Sequence, residues 1–465
     1  MADDSKKVAR AHLVDAGVEE LPDDWDVVTL GDLFTGDRGI AVGVMYPGDH
    51  DPEGVPLIKA GDLNGSIINP QPDFRISNDK HHEYRRTALE GGELLMTLVG
   101  NVGQCAVVPP RMAGWNTARA VAVMRLSDSS DTHFVQQCLL SRPLQQLMDV
   151  WSNTTVQATL NLKEIRQLPL PWPPKKSRDA IASILGALDD KIELNRRMNA
   201  TLEGMARALF QSWFVDFDPV RAKLDGRKPE GLDKATAALF PDAFEESSLG
   251  PIPKGWEVLE LGDLLGKEGY VRGPFGSSLK RSDMDEEGVP VYEQQHAIYN
   301  TREFRFFISD EKHKTLKRFT VRGNDLIISC SGTVGRISII RPDDPEGIIS
   351  QALLILRPDT AKATPEFLFY FLTSPQGFHS ITSVSSGSVQ VNIAKRQVIE
   401  AIKLVVPPRA LIGAYDELAR SVREESLRNL KESSTLSLLR DTLLPKLLSG
   451  ELSVAHSTIT KGDKL

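Results

Sequence analysis

Two stretches of the chain carry a heptad signature. From Arg178 the residues Ile181, Leu185, Leu188, Ile192, Asn195, Asn199, Leu202, Ala206, Leu209 and Trp213 alternate spacings of four and three, the seam of a coiled coil. Tyr415, Leu418, Val422, Glu425, Asn429, Glu432, Leu436, Leu439 and Leu443 repeat the alternation. One offset, 234, pairs Ile181 with Tyr415, Leu188 with Val422, Asn195 with Asn429, Leu202 with Leu436 and Leu209 with Leu443. Upstream of each helix the texture is that of strands. LLMTLV, CAVVP and AVAVMRL precede the first, and DLIISC, RISII and ALLILRP the second, all short apolar runs punctuated by Gly and Pro. Short helical stretches, Phe134 to Leu147 and Pro365 to Thr373, intervene. The pattern predicts two compact α+β domains, each followed by a long helix.

The two domains are copies of one unit. GGELLMTLVGNVG, ending at Gly103, returns as GNDLIISCSGTVG, ending at Gly335, 232 residues later. Pro22, Trp25 and the LGDL at 30 to 33 recur as Pro253, Trp256 and the LGDL at 261 to 264, and Gly54-Val55-Pro56 as Gly288-Val289-Pro290. Ile76-Ser77 with Lys80-His81 returns as Ile308-Ser309 with Lys312-His313, and Val156-Gln157 as Val389-Gln390. Each copy closes on a Pro-Pro pair, at 173 and 407. Solenoid units run about 20 to 50 residues, so this period is duplication of a whole domain.

The predicted division is an N-terminal segment 1–20, a first globular domain 21–174, a central helix 175–217, a linker 218–250, a second globular domain 251–408, a distal helix 409–448 and a tail 449–465. The two helices would most simply pair antiparallel, with a domain at each end of the rod. Asn195 and Asn429 in mid-seam would set register at a cost in stability. The plainer reading has each helix packing only on its own domain. About 36 residues at 1.5 Å each give a rod of roughly 50 Å. That exceeds the roughly 34 to 36 Å between successive major-groove faces of a duplex, so a two-headed DNA ruler is physically reasonable.

Composition narrows the class. The chain has 465 residues, 41% hydrophobic, enough for roughly three domains of about 150 with their own cores. Cys105, Cys138 and Cys330 are too scattered for a disulfide framework or a metal cage and read as small buried hydrophobes. No run of about 20 apolar residues occurs, and no apolar segment follows the polar start MADDSKK, so a cytoplasmic protein without a membrane span is expected. The net charge of −8 argues against nucleic acid, but a phosphate footprint needs only a local basic surface. Arg85-Arg86 in the first copy and Lys312, Lys314, Lys317, Arg318 and Arg322 in the second cluster in the same repeat segment. They fit such a footprint or a merely solvated face.

The chain carries none of the common catalytic signatures. The chain has no GxxxxGK[ST] phosphate loop, no GxSxG nucleophile elbow, no HExxH-type metal spacing and no Asn/Asp-Pro-Pro-aromatic tetrapeptide of an amino-group methyltransferase. The matched carboxylates Glu93 and Asp325 lack a nearby lysine in nuclease spacing. No metal site is expected.

Several segments together resemble the specificity (S) subunit of type I restriction-modification systems. They are LDDKIELNRRMNATLEGMARALFQSWFVDFDP from Leu188, SSLGPIPKGWEVLELGDL, the GPFGSSLK loop at 273 to 280 and the closing LLRDTLLPKLLSGELSV from Leu438. The resemblance spans about residues 21 to 454. Where the second copy has GPFGS, the first offers GDRGIAVGVMYPGD at 36 to 49, which leaves its DNA-contacting loop unassigned. The resemblance implies an α+β fold of two target recognition domains separated by an antiparallel two-helix coiled coil with pseudo-two-fold symmetry. Each domain would read one half of a bipartite, asymmetric site on double-stranded DNA. It implies two methyltransferase (M) subunits, restriction (R) subunits and no membrane partner. The S subunit itself would be non-catalytic and bind no cofactor, with S-adenosylmethionine, ATP and Mg on the partner subunits. The alternative is a non-catalytic scaffold whose duplicated domains bind proteins, which the net acidity favours.

Base and phosphate contacts call for Arg, Lys, Asn, Gln, Ser and Thr on loops. The candidates are Lys80, Arg85, Arg86, Asn101, Gln104, Thr155 and Gln157 in the first copy. In the second they are Arg272, Ser277, Ser278, Lys280, Lys312, Lys317, Arg318, Thr333, Arg336, Ser388 and Gln390. The aromatic group Phe210, Trp213, Phe214 and Phe217 is more than a two-helix rod could bury and is expected to bind a partner, with core packing against the second copy as the plainer reading.

Overall fold

The computed structural model describes residues 2–18, 20–36, 39–152, 158–383, 392–393 and 395–454, apart from the side chains of residues 2–6, 277, 383 and 392. Its contacts divide the chain into two compact units, Met1–Arg196 with Leu430–Leu465, and Arg197–Asn429. The first unit is therefore discontinuous, unlike the serial division read from the sequence. The cause is packing: Leu444, Leu447 and Leu448 complete the same core as Ile181 and Leu185.

In the first unit the strands Ile40–Val42, Val121–Met124, Leu94–Thr97 and Cys105–Val107 form one antiparallel sheet in that order. A second sheet sets Val55–Ile58 between Arg75–Ile76 and Asn116–Thr117, parallel to the latter, and Asp26–Thr29 pairs with Pro169–Trp172. Every residue of Leu94–Thr97 and of Val121–Met124 is buried. Alternate side chains serve two layers: Leu94, Met96, Ala122 and Met124 join the core containing Phe134 and Leu139, while Leu95, Val121 and Val123 join Ile58, Leu63 and Met112. Coverage on both faces explains why these strands read as unbroken apolar runs.

The second unit repeats the plan. Leu265–Arg272, Leu353–Pro358, Leu326–Ser329 and Ile337–Ile339 form the antiparallel sheet. Val289–Tyr292 lies between Phe307–Ile308 and Ile348–Ile349, and Glu257–Glu260 pairs with Lys403–Val406. The matched carboxylates are structural. Glu93 pairs with Arg125 at 3.2 Å and Asp325 with Arg357 at 2.7 Å, both carboxylates buried. The stretch read as one helix from Phe134 to Leu147 is two, Thr132–Leu140 and Arg142–Ser152, broken at Ser141, whose hydroxyl donates to the Cys138 carbonyl at 2.6 Å. The N-terminal segment holds a helix, Ala2–Asp15, whose Ala9 and Leu13 pack on Val27.

Both long helices, Lys175–Phe214 and Arg409–Leu448, are 40 residues. Within the first unit they run antiparallel: Asp189 meets Arg440 at 2.7 Å, and Asn195 donates to Glu432 at 2.7 Å, with Lys191 at 3.2 Å from the same carboxylate. Within the second unit they do so again: Asn429 donates to the Asn199 side-chain oxygen at 2.8 Å, Asn199 to the Ser426 carbonyl at 3.1 Å, and the Tyr415 hydroxyl to the Ala206 carbonyl at 3.1 Å. Ile181, Asn195, Tyr415 and Asn429 are buried, and Leu188, Leu202, Leu209, Val422, Leu436 and Leu443 half-buried. Two positions of the second seam differ from the heptad reading. Leu418 and Leu439 are exposed, and one residue on Ala419 is buried and Arg440 half-buried, as are Ser426 and Ser433 beside Glu425 and Glu432, of which Glu432 meets Asn195 across the pair. At 3.6 residues per turn either neighbour can face inward, and the small residues leave room for the asparagines.

The aromatic group expected to bind a partner is core. Phe210, Trp213, Phe214 and Phe217 are buried in the second unit with Phe240, Trp256, Phe367, Tyr370 and Tyr415. Ring centroids of Phe214 and Phe367 lie 5.3 Å apart, and those of Phe217 and Trp256 5.5 Å. The partners that bury them come from the second copy, out of reach of a count made on the rod alone. Close by, Glu366 meets Arg423 at 2.6 Å. Burial, then Asp416 beside it, outweighs that arginine and pushes the Glu366 carboxyl up to about 7.

Phe214→Asp would bury a charge among rings and is expected to cost about 4 kcal/mol in urea denaturation; wild-type stability would return the cluster to the surface. Glu366 holds its proton to higher pH folded than unfolded. Its contribution is therefore full below the ordinary carboxyl value and is lost as pH rises to about 7. Glu366→Gln should flatten that decline in melting temperature; an unchanged slope would assign it to other groups.

Candidate nucleic-acid interface

The phrase that betrays the duplication folds as a hairpin turn at the end of the central sheet. Thr97, the last residue of its strand, exchanges backbone bonds with the far side: its N–H donates to the Gln104 carbonyl and its carbonyl accepts from Gly103, both at 3.0 Å. Its hydroxyl donates to the Asn101 carbonyl at 2.5 Å and accepts from the Gln104 N–H at 2.9 Å. Ser329 does the same in the second unit. Its hydroxyl donates to the Thr333 carbonyl at 2.6 Å and accepts from the Arg336 N–H at 2.9 Å. Gly103 and Gly335 take φ of 82° and 77°, so the repeated glycines meet a backbone demand.

A second loop lies beside each hairpin. The Gly43 N–H donates to the Val121 carbonyl at 3.2 Å, and the Gly273 N–H to the Leu353 carbonyl at 3.0 Å. A Cβ on Gly43 would stand 2.1 Å from the Thr117 carbonyl oxygen, and one on Gly273 2.0 Å from that of Ser350. GVMYPGD from Gly43 is thus the counterpart of the GPFGSSLK loop, which supplies the loop left unassigned in the first copy. Its tip exposes Tyr46 (72%), as the second exposes Phe275 (61%). Sequence reasoning missed Tyr46 because the Gly43–Gly273 offset, 230, departs from the other repeat offsets.

In the first unit a cleft of about 490 Å³ opens here, lined by Val42, Met45, Leu98, Arg119, Leu160 and Asn161 among others. In the second unit the positions of Val42 and Met45 hold Arg272 and Phe275, with the guanidinium 5.7 Å from the ring centroid. Exposed Arg119, also missed, follows the Thr117 backbone that abuts Gly43.

The structure gathers some candidates and separates others. Asn101 is exposed on its hairpin, while Gln104 is half-buried and its side-chain oxygen accepts from the Gly65 N–H at 2.7 Å. Thr333 and Arg336 are exposed on the other hairpin, and Arg272 ends the strand that leads into its neighbouring loop, which carries Ser278 and Lys280. The side chain of Ser277 and all of Thr155, Gln157, Ser388 and Gln390 lie outside the described residues. Lys80 pairs with Glu83 at 2.7 Å and Lys312 with Asp283 at 3.0 Å. Arg85 and Arg86 are exposed but do not join the hairpin. The Arg86 carbonyl is held by Arg125 at 3.0 Å, at the opposite end of the strand from Thr97, about 13 Å away. Lys317 and Arg318 lie likewise near Thr320, whose carbonyl Arg357 holds at 3.2 Å. The basic segments and the hairpins therefore occupy different ends of each sheet.

Comparison with known proteins comes to the same architecture. A family model described as type I restriction modification DNA specificity domain matches residues 22–204 and again 253–410. The specificity subunit of the type I restriction enzyme HindI from Haemophilus influenzae is 28% identical over 340 residues, 65% of this chain and 72% of that one. That of MjaIX from Methanocaldococcus jannaschii is 23% identical over 449 residues, 94% of this chain and 95% of that one. The crystal structure of the type I S subunit from M. genitalium shares the fold, with a TM-score of 0.52 at 16% identity over 92% of this chain and 96% of that one.

Gly273→Ala sets a methyl against backbone that cannot swing aside and should cost about 3 kcal/mol in thermal unfolding. Gly276→Ala, at φ 61° in open space, should cost about 1. Equal melting temperatures for the two would mean that the loop does not approach the Ser350 backbone.

Proposed function

Because the chain belongs to the family of type I restriction-modification DNA specificity domains, matched twice along its length, we propose that each copy reads one half of a bipartite, asymmetric duplex site. One observation carries this reading. The two hairpins share the same four bonds to Thr97 and Ser329 yet carry different side chains, Asn101 and Gln104 against Thr333 and Arg336. Arg suits guanine edges, Asn and Gln suit adenine, and the apolar wall of the first cleft suits a thymine methyl. Two unlike readers on one frame make a non-palindromic site. Arg85, Arg86, Lys317 and Arg318, at the far end of each sheet, fit phosphate contacts that position without specifying.

In this reading the chain carries no catalytic residue and holds no cofactor. Two methyltransferase subunits supply adenine methylation with S-adenosylmethionine, and restriction subunits supply ATP- and Mg-dependent cleavage, in the cytoplasm. Adenine must leave the stack to be methylated, so the recognition chain's task is placement of the methyltransferase over each half-site. With the Phe210 to Phe217 group buried, partner docking falls to other side chains. Exposed apolar residues on the long helices suit it: Leu194, Leu438 and Leu439 in the first unit, Met205 and Leu418 in the second. Among the described residues no helix is long and apolar enough to cross a membrane.

Single-molecule mapping of adenine methylation in the source genome, with and without the gene, tests the proposal. Deletion should erase one gapped, asymmetric motif. An unchanged motif set, together with no salt-sensitive binding of duplex DNA by the complex with its methyltransferase, would favour the protein-binding scaffold.

A further inference from the structure

The hydroxyl at the end of the central strand deserves its own role. Thr97 is fully buried, and so is Ser329. In each unit the hydroxyl bonds the backbone of two loop residues, four and seven positions on. Those residues are 101 and 104 in one copy, 333 and 336 in the other. At both of them the copies differ in side chain, as they also do at Leu98 and Cys330 and at Val99 and Ser331, while the Val-Gly between them, Val102-Gly103 or Val334-Gly335, is the same. A loop with glycines at positive φ, Gly100 and Gly103 or Gly332 and Gly335, has little stiffness of its own. Two bonds to one buried hydroxyl add to the backbone pair that closes the turn, and removing that hydroxyl would strand a carbonyl and an N–H that have no other partner in the turn. Both β-hydroxyl residue types satisfy the geometry, which is why Thr in one copy and Ser in the other hold the same bonds.

We propose that Thr97 and Ser329 are positioning residues for sequence readout, each a hydroxyl latch that holds the two reading side chains of its own copy in fixed register. The inference rests on the reading of the hairpins as DNA-contacting. A latch touches no base. It confers specificity by denying the reading side chains the freedom to follow a wrong one, since a hydrogen-bonding group that can move accommodates a mismatch that a fixed one rejects.

The test uses the full chain assembled with its methyltransferase subunits. Methylation rates are compared between the cognate site and variants carrying one base change in either half. Thr97→Val should lower discrimination about tenfold in one half-site and leave the other half as in the wild type. Thr97→Ser, which keeps the hydroxyl, should restore it. Ser329→Ala should relax the opposite half, with Ser329→Thr restoring that one. Unaltered discrimination in Thr97→Val and Ser329→Ala, relaxation of both halves alike, or failure of Thr97→Ser to restore selectivity would each overturn the latch. A wild-type complex that methylates no bipartite site would overturn the hairpin reading itself. Wild-type activity with an indifferent valine variant would overturn the latch alone.

Discussion

The antiparallel pairing of two helices far apart in sequence is the constraint on which each unit depends. In the first unit the end of the second long helix supplies Leu444, Leu447 and Leu448 to a core built on residues 16 to 185. In the second, the beginning of that helix supplies Leu411, Ile412, Tyr415 and Ala419, and the end of the first supplies Phe210, Trp213 and Phe214. Neither copy closes its core with its own globular residues alone. The seam that sets this pairing is polar at its middle. Asn195 bonds Glu432, and Asn199 bonds Asn429. A buried amide needs a partner, and a slip in register would take it away, so such residues reject wrong alignments at some cost in stability.

Duplication has kept what packing demands and released what it does not. Both sheets have the same strand order, both carry a buried carboxylate paired with an arginine, and both turn their central hairpin with a hydroxyl and two glycines. A buried carboxylate without its arginine would be an uncompensated charge, and a Cβ at Gly43 or Gly273 would strike a carbonyl oxygen. These positions have few alternatives. The rim does not pack, and there the copies part company: Tyr46 stands beside an apolar cleft in one, Phe275 beside Arg272 in the other. A frame under strict physical constraint carrying a rim under almost none is a natural basis for changing what is read without changing the reader.

Much of this was legible in the chain. The duplication, the α+β texture and the two helices follow from periodicity, because a 3.6-residue repeat and a run of apolar strand residues leave their mark on the sequence regardless of what covers them. Contacts between residues distant in sequence were not legible. The aromatic group looked like surplus surface until Phe367, Tyr370 and Trp256 were seen to bury it. The basic pairs come shortly before the hairpin in sequence, yet a strand separates them from it by its whole length.

The sequence by itself thus determined the number of copies, the kind of elements and their local turns, since each depends on residues within a few positions of one another. Only the tertiary structure decided which side of the second helix faces inward, which aromatics are core, that Gly43 and Gly273 are counterparts, and which polar residues share a rim. The reason is physical: burial and close approach are properties of pairs of surfaces, and a single periodic stretch states that a face is apolar without stating what meets it.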